Sequence, residues 1–400
     1  MATKNNNNHP VILSAVRTPF GKYGGSLLAV GAIELGATAM RAAMERAKVE
    51  PTDVTHNIMG CVVQAGLGQV PSRQAAFKAG LGREVTSDTI NRVCASGMRA
   101  VTLSSDLIRL GHHSLIVAGG MESMSNAPYY SMGTRWGLRA GNGELVDGVQ
   151  YDGLTDPLMK VSMIQHGHTV AAEEECSRQQ QDEWAYRSHM RAIAAIDSGI
   201  FAQEIVPVSI ADRKKGEIIV DTDEAPRRDT SMEVLAKLKP VFDPNGTVTA
   251  GNAPGLNDGA AALVVASSDF AKAHGLKPLA HILGYGEAAW DTPYLAYTPA
   301  MAGQNALKKL GMTVDDLDLV EINEAFASVA LISMAKLGVP EEKLNVNGGA
   351  IALGHPIGAS GARIITTLIH ELGRRGGGIG MAAICSGMAQ GDAIVLQVGD

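Results

Sequence analysis

The stretch "CASGMRAVTLSSDLIRLGHHSLIVAGG", residues 94–120, decides the fold, because its pattern returns later in the chain. The second copy is "GASGARIITTLIHELGRRGGGIGMAAICSG", residues 358–387. Both copies show a turn of small residues, a helical pattern, glycine and an apolar strand, and the Ala-Ser-Gly-x-Arg segment at Ala95 recurs at Ala359. In a chain this rich in small residues, "ASG" could recur by chance. The matched helix lengths and following strands favour two copies of one α/β unit.

Short apolar runs alternate with amphipathic helical patterns along most of the chain. Such alternation predicts buried, mostly parallel sheets covered by helices, the α/β class. The predicted strands span residues 11–16, 57–63, 114–120, 261–267, 318–322, 380–386 and 393–398, and the predicted helices span 33–48, 73–79, 98–110, 301–310, 325–337 and 362–372.

The middle of the chain is more polar and more highly charged than its two ends. We therefore predict three units in the 400 residues. Residues 1–122, completed by 250–272, form an N-terminal α/β half, and residues 273–400 form a C-terminal α/β half. Residues 123–249 form an inserted domain made mainly of helices and loops.

Composition excludes several classes of function. The net charge of −7 argues against a general nucleic-acid binder, whose affinity rests on neutralising phosphates. No apolar run approaches the roughly 20 residues that a membrane helix needs. The N-terminus lacks a secretory signal, and the four cysteines are widely spaced, so we expect reduced thiols in a cytoplasmic protein.

Cys94 is a candidate nucleophile. It stands just before a predicted helix, whose N-terminus carries partial positive charge and free N–H groups that favour the thiolate. The small residues after it are expected to give a substrate access. The alternative is a buried structural cysteine, which is the commoner fate of a thiol.

Two later motifs offer partners for that thiol. "NVNGGAIALGHPIGASGAR", residues 345–363, places His355 in a glycine-rich loop, where a neutral imidazole could take the proton of a nearby cysteine. "AAICSGMAQGDA", residues 382–393, delivers Cys385 to a loop as a possible acid or base. The backbone N–H groups of Cys94 and Gly387 could form an oxyanion hole. A zinc site of these cysteines and His355 is formally possible but lacks paired ligand spacing, so no metal is predicted.

The segment "EINEAFAS", residues 321–328, contains Asn323 where a strand gives way to a helix. Asparagine is a good N-cap residue, which is one interpretation. The other is an amide that faces a developing oxyanion or an ordered water. The residue pattern does not separate the two.

With these motifs in order, the chain resembles the thiolases, acyltransferases that make or break β-ketoacyl-CoA. The resemblance runs from about Val11 to Val398. It rests on "NRVCASGMRAV", "GGMESMSNAP", "TAGNAPGLNDGAAAL", "NEAFA", "NGGAIALGHPIGASGAR" and "CSGMAQGDA". It implies a thiolase-like fold, with two duplicated α/β halves in a layered αβαβα core plus the inserted domain.

The resemblance also implies roles. Cys94 matches the cysteine that becomes acylated, His355 the histidine that activates it, and Cys385 the cysteine that exchanges a proton with the substrate α-carbon. Asn323, with a water and His355, matches one oxyanion hole, and Gly387 matches the backbone donor of the other. The positions that match contacts to CoA are Met163, Arg227, Ala250 and Phe326, and the basic stretches at 213–215 and 227–228 could offset the negative charge of CoA.

The implied reaction is the reversible condensation of two acetyl-CoA to acetoacetyl-CoA and CoA, through an acyl-Cys94 intermediate. CoA is then substrate and product, no resident cofactor is expected, and the partners are acyl-CoA and further copies of the chain in a dimer or tetramer. A longer-chain 3-ketoacyl-CoA thiolase of β-oxidation, a decarboxylating condensing enzyme and a non-catalytic acyl-CoA-binding protein are alternatives. Cys385 argues against the second, and the full catalytic set argues against the third.

The chain departs from the family pattern at a few positions. Met388 and Ala389 replace two glycines of the C-terminal motif, which predicts a stiffer and bulkier loop. Pro254 replaces a serine that contacts pantetheine in many relatives, which removes a hydroxyl and a backbone donor. Ile164 follows Met163 where glycine is common. These departures bear on acyl-chain preference and leave the catalytic set intact.

Overall fold

A computed structural model describes residues 8–214 and 216–399 of the chain. The first seven residues, Asp400 and Lys215 of the predicted basic stretch lie outside the described residues. The strands are β1 (Pro10–Arg17), β2 (Gly21–Lys22), β3 (His56–Gly60), β4 (Thr86–Ile90), β5 (Leu115–Ser123), β6 (Tyr129–Tyr130), β7 (Val146–Asp147), β8 (Val208–Asp212), β9 (Gly216–Val220), β10 (Asn257–Ser267), β11 (Ala280–Ala289), β12 (Leu319–Ile322), β13 (Gly378–Ser386) and β14 (Gln390–Val398). The α-helices are α1 (Ala32–Ala47), α2 (Pro71–Ala79), α3 (Ser96–Arg109), α4 (Met163–Glu173), α5 (Arg178–Asp197), α6 (Met232–Ala236), α7 (Ser268–Ala273), α8 (Thr298–Leu310), α9 (Ala327–Leu337), α10 (Ala350–Leu353) and α11 (Ser360–Arg374).

One mixed sheet contains ten of the described strands, in the order β12-β13-β14-β11-β1-β10-β5-β3-β4, with β2 paired to β10. Its two halves meet where β1 pairs with β11, with Val11 opposite His281. The strand order within one half repeats in the other. A parallel bridge from Val320 to Leu344 stands where the second half would have its counterpart of the β3–β4 pair. The predicted duplication of an α/β unit is confirmed.

The prediction of mostly parallel sheets is wrong. Parallel pairing is confined to β3 with β4 and β5, to β12 with β13, and to isolated bridges within the described residues. The remaining pairs of this sheet are antiparallel. β13 and β14 show one reason, because only Gly387, Met388 and Ala389 join them. A connection this short returns the chain as a hairpin, whereas a parallel pair needs a long crossover.

The helices complete five layers. α3 and α11 pack against each other between the two halves of the sheet, and their apolar faces share one core with the strands on both sides. α1 and α2 cover the outer face of the N-terminal half, and α8 covers that of the C-terminal half beside α9. The predicted αβαβα layering is therefore confirmed.

The small residues at the starts of α3 and α11 allow those two helices to touch. A Cβ atom added to Gly97 would lie 2.8 Å from the Ala362 nitrogen, and one added to Gly361 would lie 2.4 Å from the Met98 nitrogen. Ala95, like both glycines, is buried. The expectation that the small residues after Cys94 give a substrate access is wrong, because they are buried in the contact between α3 and α11.

Residues 123–249 carry α4, α5 and α6 and the short ladders β6–β7 and β8–β9. Arg17 of β1 connects this segment to the core, since its buried guanidinium donates to Glu204 and Asp223 over 2.6 Å each. Across residues 8–214 and 216–399, no helix has the length and apolar character needed to cross a membrane.

Candidate active site

A cavity of about 370 Å³ lies where the two α/β halves and the middle segment meet. The loop after β4, the loop before α11 and the end of β13 each supply one reactive side chain to its wall. Eight of the predicted site residues are among those that line it: Cys94, Met163, Arg227, Ala250, Phe326, His355, Cys385 and Gly387.

Cys94 follows a strained turn. Val93 has a φ of +41°, a left-handed conformation that is rare for a β-branched residue. The turn is held by Asn91, whose Oδ1 accepts the Val93 N–H over 2.9 Å, and by Ser96, whose hydroxyl donates to the Val93 carbonyl over 2.6 Å. Strain of this kind persists only where surrounding contacts enforce it, and it concentrates at functional sites. Here it presents the half-buried Cys94 thiol to the cavity.

Cys94 and His355 are in contact, with 3.3 Å between Sγ and Nε2. The other ring nitrogen, Nδ1, lies 2.6 Å from the Ser360 hydroxyl, which donates to the Pro356 carbonyl over 2.9 Å. Because that hydroxyl uses its proton on the carbonyl, it accepts from Nδ1–H. The imidazole therefore carries its proton on Nδ1 and turns the Nε2 lone pair toward the thiol.

The backbone of His355 is fixed from the other half of the sheet. Its N–H donates to Oδ1 of Asn257 over 2.9 Å, and the Asn257 amide donates to the Gly21 carbonyl over 2.9 Å. Asn257 begins β10 and is buried. The histidine loop therefore has little freedom to swing away from Cys94.

Burial makes this pair neutral. It raises the pKa of the Cys94 thiol to about 12, although the backbone N–H groups of Cys94 and Gly387 pull in the opposite direction. It also lowers the pKa of His355 to about 3, with help from the Arg363 cation. The N–H donors favour the thiolate of Cys94, as expected, but desolvation outweighs them. At neutral pH the site holds a thiol facing an imidazole base.

Cys385 is buried at the end of β13 and lines the same cavity. Burial and the nearby Cys94 raise the pKa of its thiol well above the ordinary value. Two residues further on, the Gly387 N–H points at the Cys94 sulfur together with the N–H of Cys94 itself. Two backbone donors thus converge beside the thiol, which is the arrangement of an oxyanion hole.

Asn323 lies just after β12 and is completely buried. Neither its amide nitrogen nor its amide oxygen has a hydrogen-bond partner among the described residues. The helix that follows, α9, has Phe326 as its N-cap residue, so the N-cap interpretation of Asn323 is wrong. A buried amide with both atoms free is suited to hold an ordered water.

The residues predicted to contact CoA line the same cavity. Arg227 donates to the Ala250 carbonyl over 3.4 Å, and Met163 begins α4 behind its N-cap, Ser162. Of the departures from the family pattern, Pro254 and Ile164 line the cavity. Met388 and Ala389 have positive φ of 60° and 46°, so the hairpin after Cys385 adopts a conformation that glycine would adopt more readily.

Sequence reasoning missed Ser360 and Asn257. Ser360 served only to align the two repeats, although it stands five residues after His355 and two residues before a predicted helix. A hydroxyl at that distance from a loop histidine was a detectable signal. Asn257 contacts His355 across 98 residues of sequence, so no local pattern could have found it.

Comparison with known proteins agrees with this geometry. The family models for the thiolase N-terminal domain and the thiolase C-terminal domain match residues 10–269 and 276–398. An acetyl-CoA acetyltransferase of Escherichia coli is 48% identical over 97% of this chain and 98% of its own. One of Chromobacterium violaceum is 47% identical over 96% of this chain and 98% of its own.

A solved structure is also similar. The crystal structure of the Bacillus anthracis acetyl-CoA acetyltransferase superposes with a TM-score of 0.96. The two proteins are 43% identical, over 98% of this chain and 99% of that one. With two family models that together span nearly the whole chain, and relatives at this identity, the chain belongs to the thiolase family of acyltransferases.

Proposed function

We propose that this enzyme catalyses the reversible condensation of two acetyl-CoA molecules to acetoacetyl-CoA and CoA, through an acyl-Cys94 intermediate. One observation carries the proposal: the Cys94 thiol touches the Nε2 base of His355 in a cavity that also holds the Cys385 thiol. A nucleophile, its base and a second proton carrier are the groups that such a reaction requires. The relatives that are 47% and 48% identical to this chain are named acetyl-CoA acetyltransferases.

The first half-reaction forms the acyl-enzyme. Sγ of Cys94 attacks the thioester carbonyl while its proton moves to Nε2 of His355. The carbonyl oxygen becomes negative and accepts the N–H groups of Cys94 and Gly387. The bond from carbon to the CoA sulfur breaks, and the leaving thiolate takes the proton of Cys385. An acetyl-Cys94, an imidazolium and a Cys385 thiolate remain beside free CoA.

The second half-reaction makes the carbon–carbon bond. Cys385 removes a proton from the methyl carbon of a second acetyl-CoA. The enolate oxygen that results faces the imidazolium of His355 and a water held by Asn323. The enolate carbon attacks acetyl-Cys94, its thiolate leaves, and that thiolate takes back the proton from His355. Both cysteines and the histidine return to their starting protonation states, so the cycle balances.

We place CoA in the mouth of the cavity, beside Met163, Arg227, Ala250 and Phe326. No resident cofactor is needed in this scheme, because thiols and an imidazole perform every step. The longer-chain thiolase remains the alternative substrate assignment. Ile164 and Pro254 line the cavity, so both can bear on the acyl-chain preference that separates the two assignments.

We infer a homo-oligomer, a dimer or a tetramer, in the cytoplasm. The segment from 129 to 145 exposes several large apolar side chains, and Trp136 is 86% exposed. Exposed apolar surface of this kind marks contacts between proteins. β4 is an edge strand of the main sheet and offers its outer edge for pairing. Light scattering of the purified chain measures the assembly.

The test of function is CoA-dependent cleavage of acetoacetyl-CoA and of 3-ketoacyl-CoA substrates of increasing length. We expect turnover to be fastest with acetoacetyl-CoA and to vanish in Cys94→Ala. Peptide mass mapping should find the trapped acetyl group on Cys94. A preference for long chains would select the β-oxidation alternative, and an acetyl group on Cys385 would reverse the two cysteine roles.

A further inference from the structure

The turn that carries Cys94, residues 92–95, is closed at the carbonyl of Arg92. The Ala95 N–H donates to this oxygen over 3.0 Å, which is the hydrogen bond of a β-turn. A second donor reaches the same oxygen from another strand, the hydroxyl of Ser386 at the end of β13. The Cys94 turn, as we call these four residues, is therefore bonded directly to the segment that follows Cys385.

The contact continues along both segments. A Cβ atom added to Gly387 would lie 3.2 Å from Cγ2 of Val93, so the Val93 side chain packs against the Gly387 backbone. The Gly387 N–H points at the Cys94 sulfur. Ser386 and Gly387 line the cavity together with Val93 and Cys94. The two segments thus lie side by side, and their contact determines where the N–H donor stands relative to the thiol.

The side chain of Arg92 makes a second link to the same hairpin. Its Nη1 donates to Oδ1 of Asp392 on β14 over 2.8 Å, and also to Oε1 of Glu287 on β11. Asp392 is buried and lies opposite Ile384, the residue before Cys385, in the pairing of β13 with β14. Arg92 is therefore bonded to the hairpin on both of its strands, through its carbonyl to β13 and through its guanidinium to β14.

Two carboxylates face each other where this guanidinium binds. Glu287 and Asp392 lie directly opposite in the pairing of β11 with β14. Like charges in that position repel each other and destabilise a sheet unless a cation offsets them. The Arg92 guanidinium supplies the cation through charge-assisted hydrogen bonds to both. The two acidic residues thus form a binding site for the side chain of Arg92.

The hairpin that joins β13 to β14 has little freedom of its own. Met388 and Ala389 both have positive φ, a conformation that persists in residues with a side chain only where contacts enforce it. The Ala389 carbonyl accepts the N–H of Trp290 over 2.9 Å. Because its base is bonded to Arg92, the hairpin is held at both ends, and the Gly387 N–H is held with it.

We propose that Arg92, Ser386 and Asp392 are positioning residues that hold the Gly387 N–H where the oxyanion of the acylation step forms. The proposal rests on the proposed function insofar as Cys94 is acylated through that oxyanion. A donor stabilises an oxyanion only when it lies about 2.7–3.1 Å from the developing charge, so a small shift of the hairpin relative to the Cys94 turn weakens it. The three residues act through the backbone of their neighbours.

The test compares two reactions of the Cys94 thiol, both followed at Cys94 by peptide mass mapping. In acetylation by 4-nitrophenyl acetate, Sγ attacks the ester carbonyl, an oxyanion forms and 4-nitrophenolate leaves. In alkylation by iodoacetamide, Sγ displaces iodide and no oxyanion forms. Ser386→Ala removes the hydroxyl that joins the hairpin to the Cys94 turn. We expect it to lower the ratio of the acetylation rate to the alkylation rate at least about fivefold.

Arg92→Met is an independent variant, because it removes the link to β14 and leaves the Ser386 hydroxyl in place. We expect the same ratio to fall at least about threefold. Arg99→Met is its matched control. Arg99 also lies beside Glu287, with 3.3 Å between Nη1 and Oε1, and its side chain is 25% exposed against 26% for Arg92. It belongs to α3, and its loss should leave the ratio unchanged.

Ser14→Ala is the matched control for Ser386→Ala. The Ser14 hydroxyl is also buried and also donates to a main-chain carbonyl, that of Ala43 in α1, over 2.6 Å. This contact joins β1 to the helix on the outer face of the sheet. The ratio for Ser14→Ala should equal that of the unaltered protein.

An unchanged ratio in either folded variant, Ser386→Ala or Arg92→Met, would overturn the proposal, as would an equal fall in its control. A parallel loss of both reactions would overturn it too, because the three residues would then support the thiol and not the oxyanion. Alkylation of the unaltered Cys94 without acetylation would have the same consequence. Because neither reagent contains CoA, a failure of turnover on every 3-ketoacyl-CoA would count against the proposed function alone.

Discussion

At the scale of single residues, reactivity here depends on a neutral thiol and a neutral base held in contact. Burial moves the pKa values of Cys94 and His355 apart, to about 12 and about 3, so neither is charged before substrate arrives. A resting ion pair would need stabilisation inside a cavity of low polarity. The neutral pair instead leaves the charge to appear as the thioester is attacked, where the N–H groups of Cys94 and Gly387 can meet it.

The Ser360 hydroxyl fixes which nitrogen of His355 is the base, so its loss should damage turnover. We expect Ser360→Ala to lower kcat for acetoacetyl-CoA cleavage by roughly 10- to 100-fold, as one lost hydrogen bond of about 1.5–3 kcal/mol implies, with little change in KM. Ser360→Thr, which keeps the hydroxyl, should recover most of the rate.

Thr366→Val is the control for Ser360→Ala. Thr366 lies on the same helix, and within residues 8–214 and 216–399 its hydroxyl bonds only to the Ala362 carbonyl. It should retain nearly full kcat. If Ser360→Ala matched it, the hydroxyl would have no part in setting the tautomer.

The carboxyl of Glu321 should make stability depend on pH. Burial raises its pKa from 4.5 to about 8. A carboxyl with a raised pKa in the folded state contributes stability below its unfolded pKa and loses it as pH rises through the folded pKa. The side chain in Glu321→Gln cannot ionise. We therefore expect the stability of this variant relative to the unaltered protein to rise by about 1–3 kcal/mol between pH 5 and pH 8, measured by urea unfolding.

For Glu371→Gln we expect the opposite dependence of stability on pH. Burial alone would raise the pKa of Glu371, but hydrogen bonds from Asn347, Arg375 and Arg374 outweigh it and lower the pKa. This variant should therefore lose stability relative to the unaltered protein as pH rises from 3 to 6. A Glu321→Gln curve parallel to the unaltered one would show that Glu321 is already ionised throughout.

At the scale of elements, the contact of α3 with α11 depends on glycine. A Cβ atom at Gly361 would lie 2.4 Å from the Met98 nitrogen and 2.8 Å from the Met98 Cβ, both within the partner helix. Neither backbone can move without disturbing Cys94 or His355, which stand just before these helices. We expect Gly361→Ala to cost at least about 3 kcal/mol of unfolding free energy, measured with urea.

The same helix offers a matched control. Gly373, near the end of α11, has no atom of the described residues within 4 Å of an added Cβ. Gly373→Ala should leave the protein as stable as before, or more stable by about 0.5–1 kcal/mol, because alanine is the better helix former. Equal losses from the two variants would mean that helix–helix contact does not govern this position.

These elements also show what the sequence could and could not reveal. The helix and strand after Ala95 recur after Ala359, so the duplication was readable from the pattern, whereas the αβαβα layering was implied by the resemblance to the thiolases. Pairing direction was not, since it depends on how chain segments far apart meet: β10 pairs with β1 and β5 across more than a hundred residues. β4 was missed because its sequence "TSDTI" is polar and only partly buried at the sheet edge.

The candidate site, too, has features that the sequence could predict and features that it could not. Cys94, His355 and Cys385 stand in local motifs rich in small residues and could be predicted. The state of the thiol could not, because desolvation depends on everything packed around it. The assigned roles and the domain boundaries remain predictions. The structure contributes the contacts that join the motifs, above all Asn257 to His355.

At the scale of the whole molecule, Arg17 couples the middle segment to the core. Its guanidinium bonds Glu204 over 2.6 Å and both Asp223 oxygens over 2.6 and 2.8 Å, with all three side chains buried. The middle segment supplies Met163 and Arg227 to the cavity, so its packing on the core also shapes the cavity. Loss of the cation would leave two buried carboxylates uncompensated.

We therefore expect Arg17→Met to cost about 3–5 kcal/mol of unfolding free energy and to raise KM for acetoacetyl-CoA. Arg228→Met is the control, because Arg228 and its partner Asp197 are more than half exposed, and solvent screens such pairs. Urea unfolding should show no measurable change for Arg228→Met and a large loss for Arg17→Met. If both variants unfold at the same urea concentration as the unaltered protein, the middle segment must be held by its apolar contacts alone. The buried charges would then contribute nothing to the free energy of unfolding.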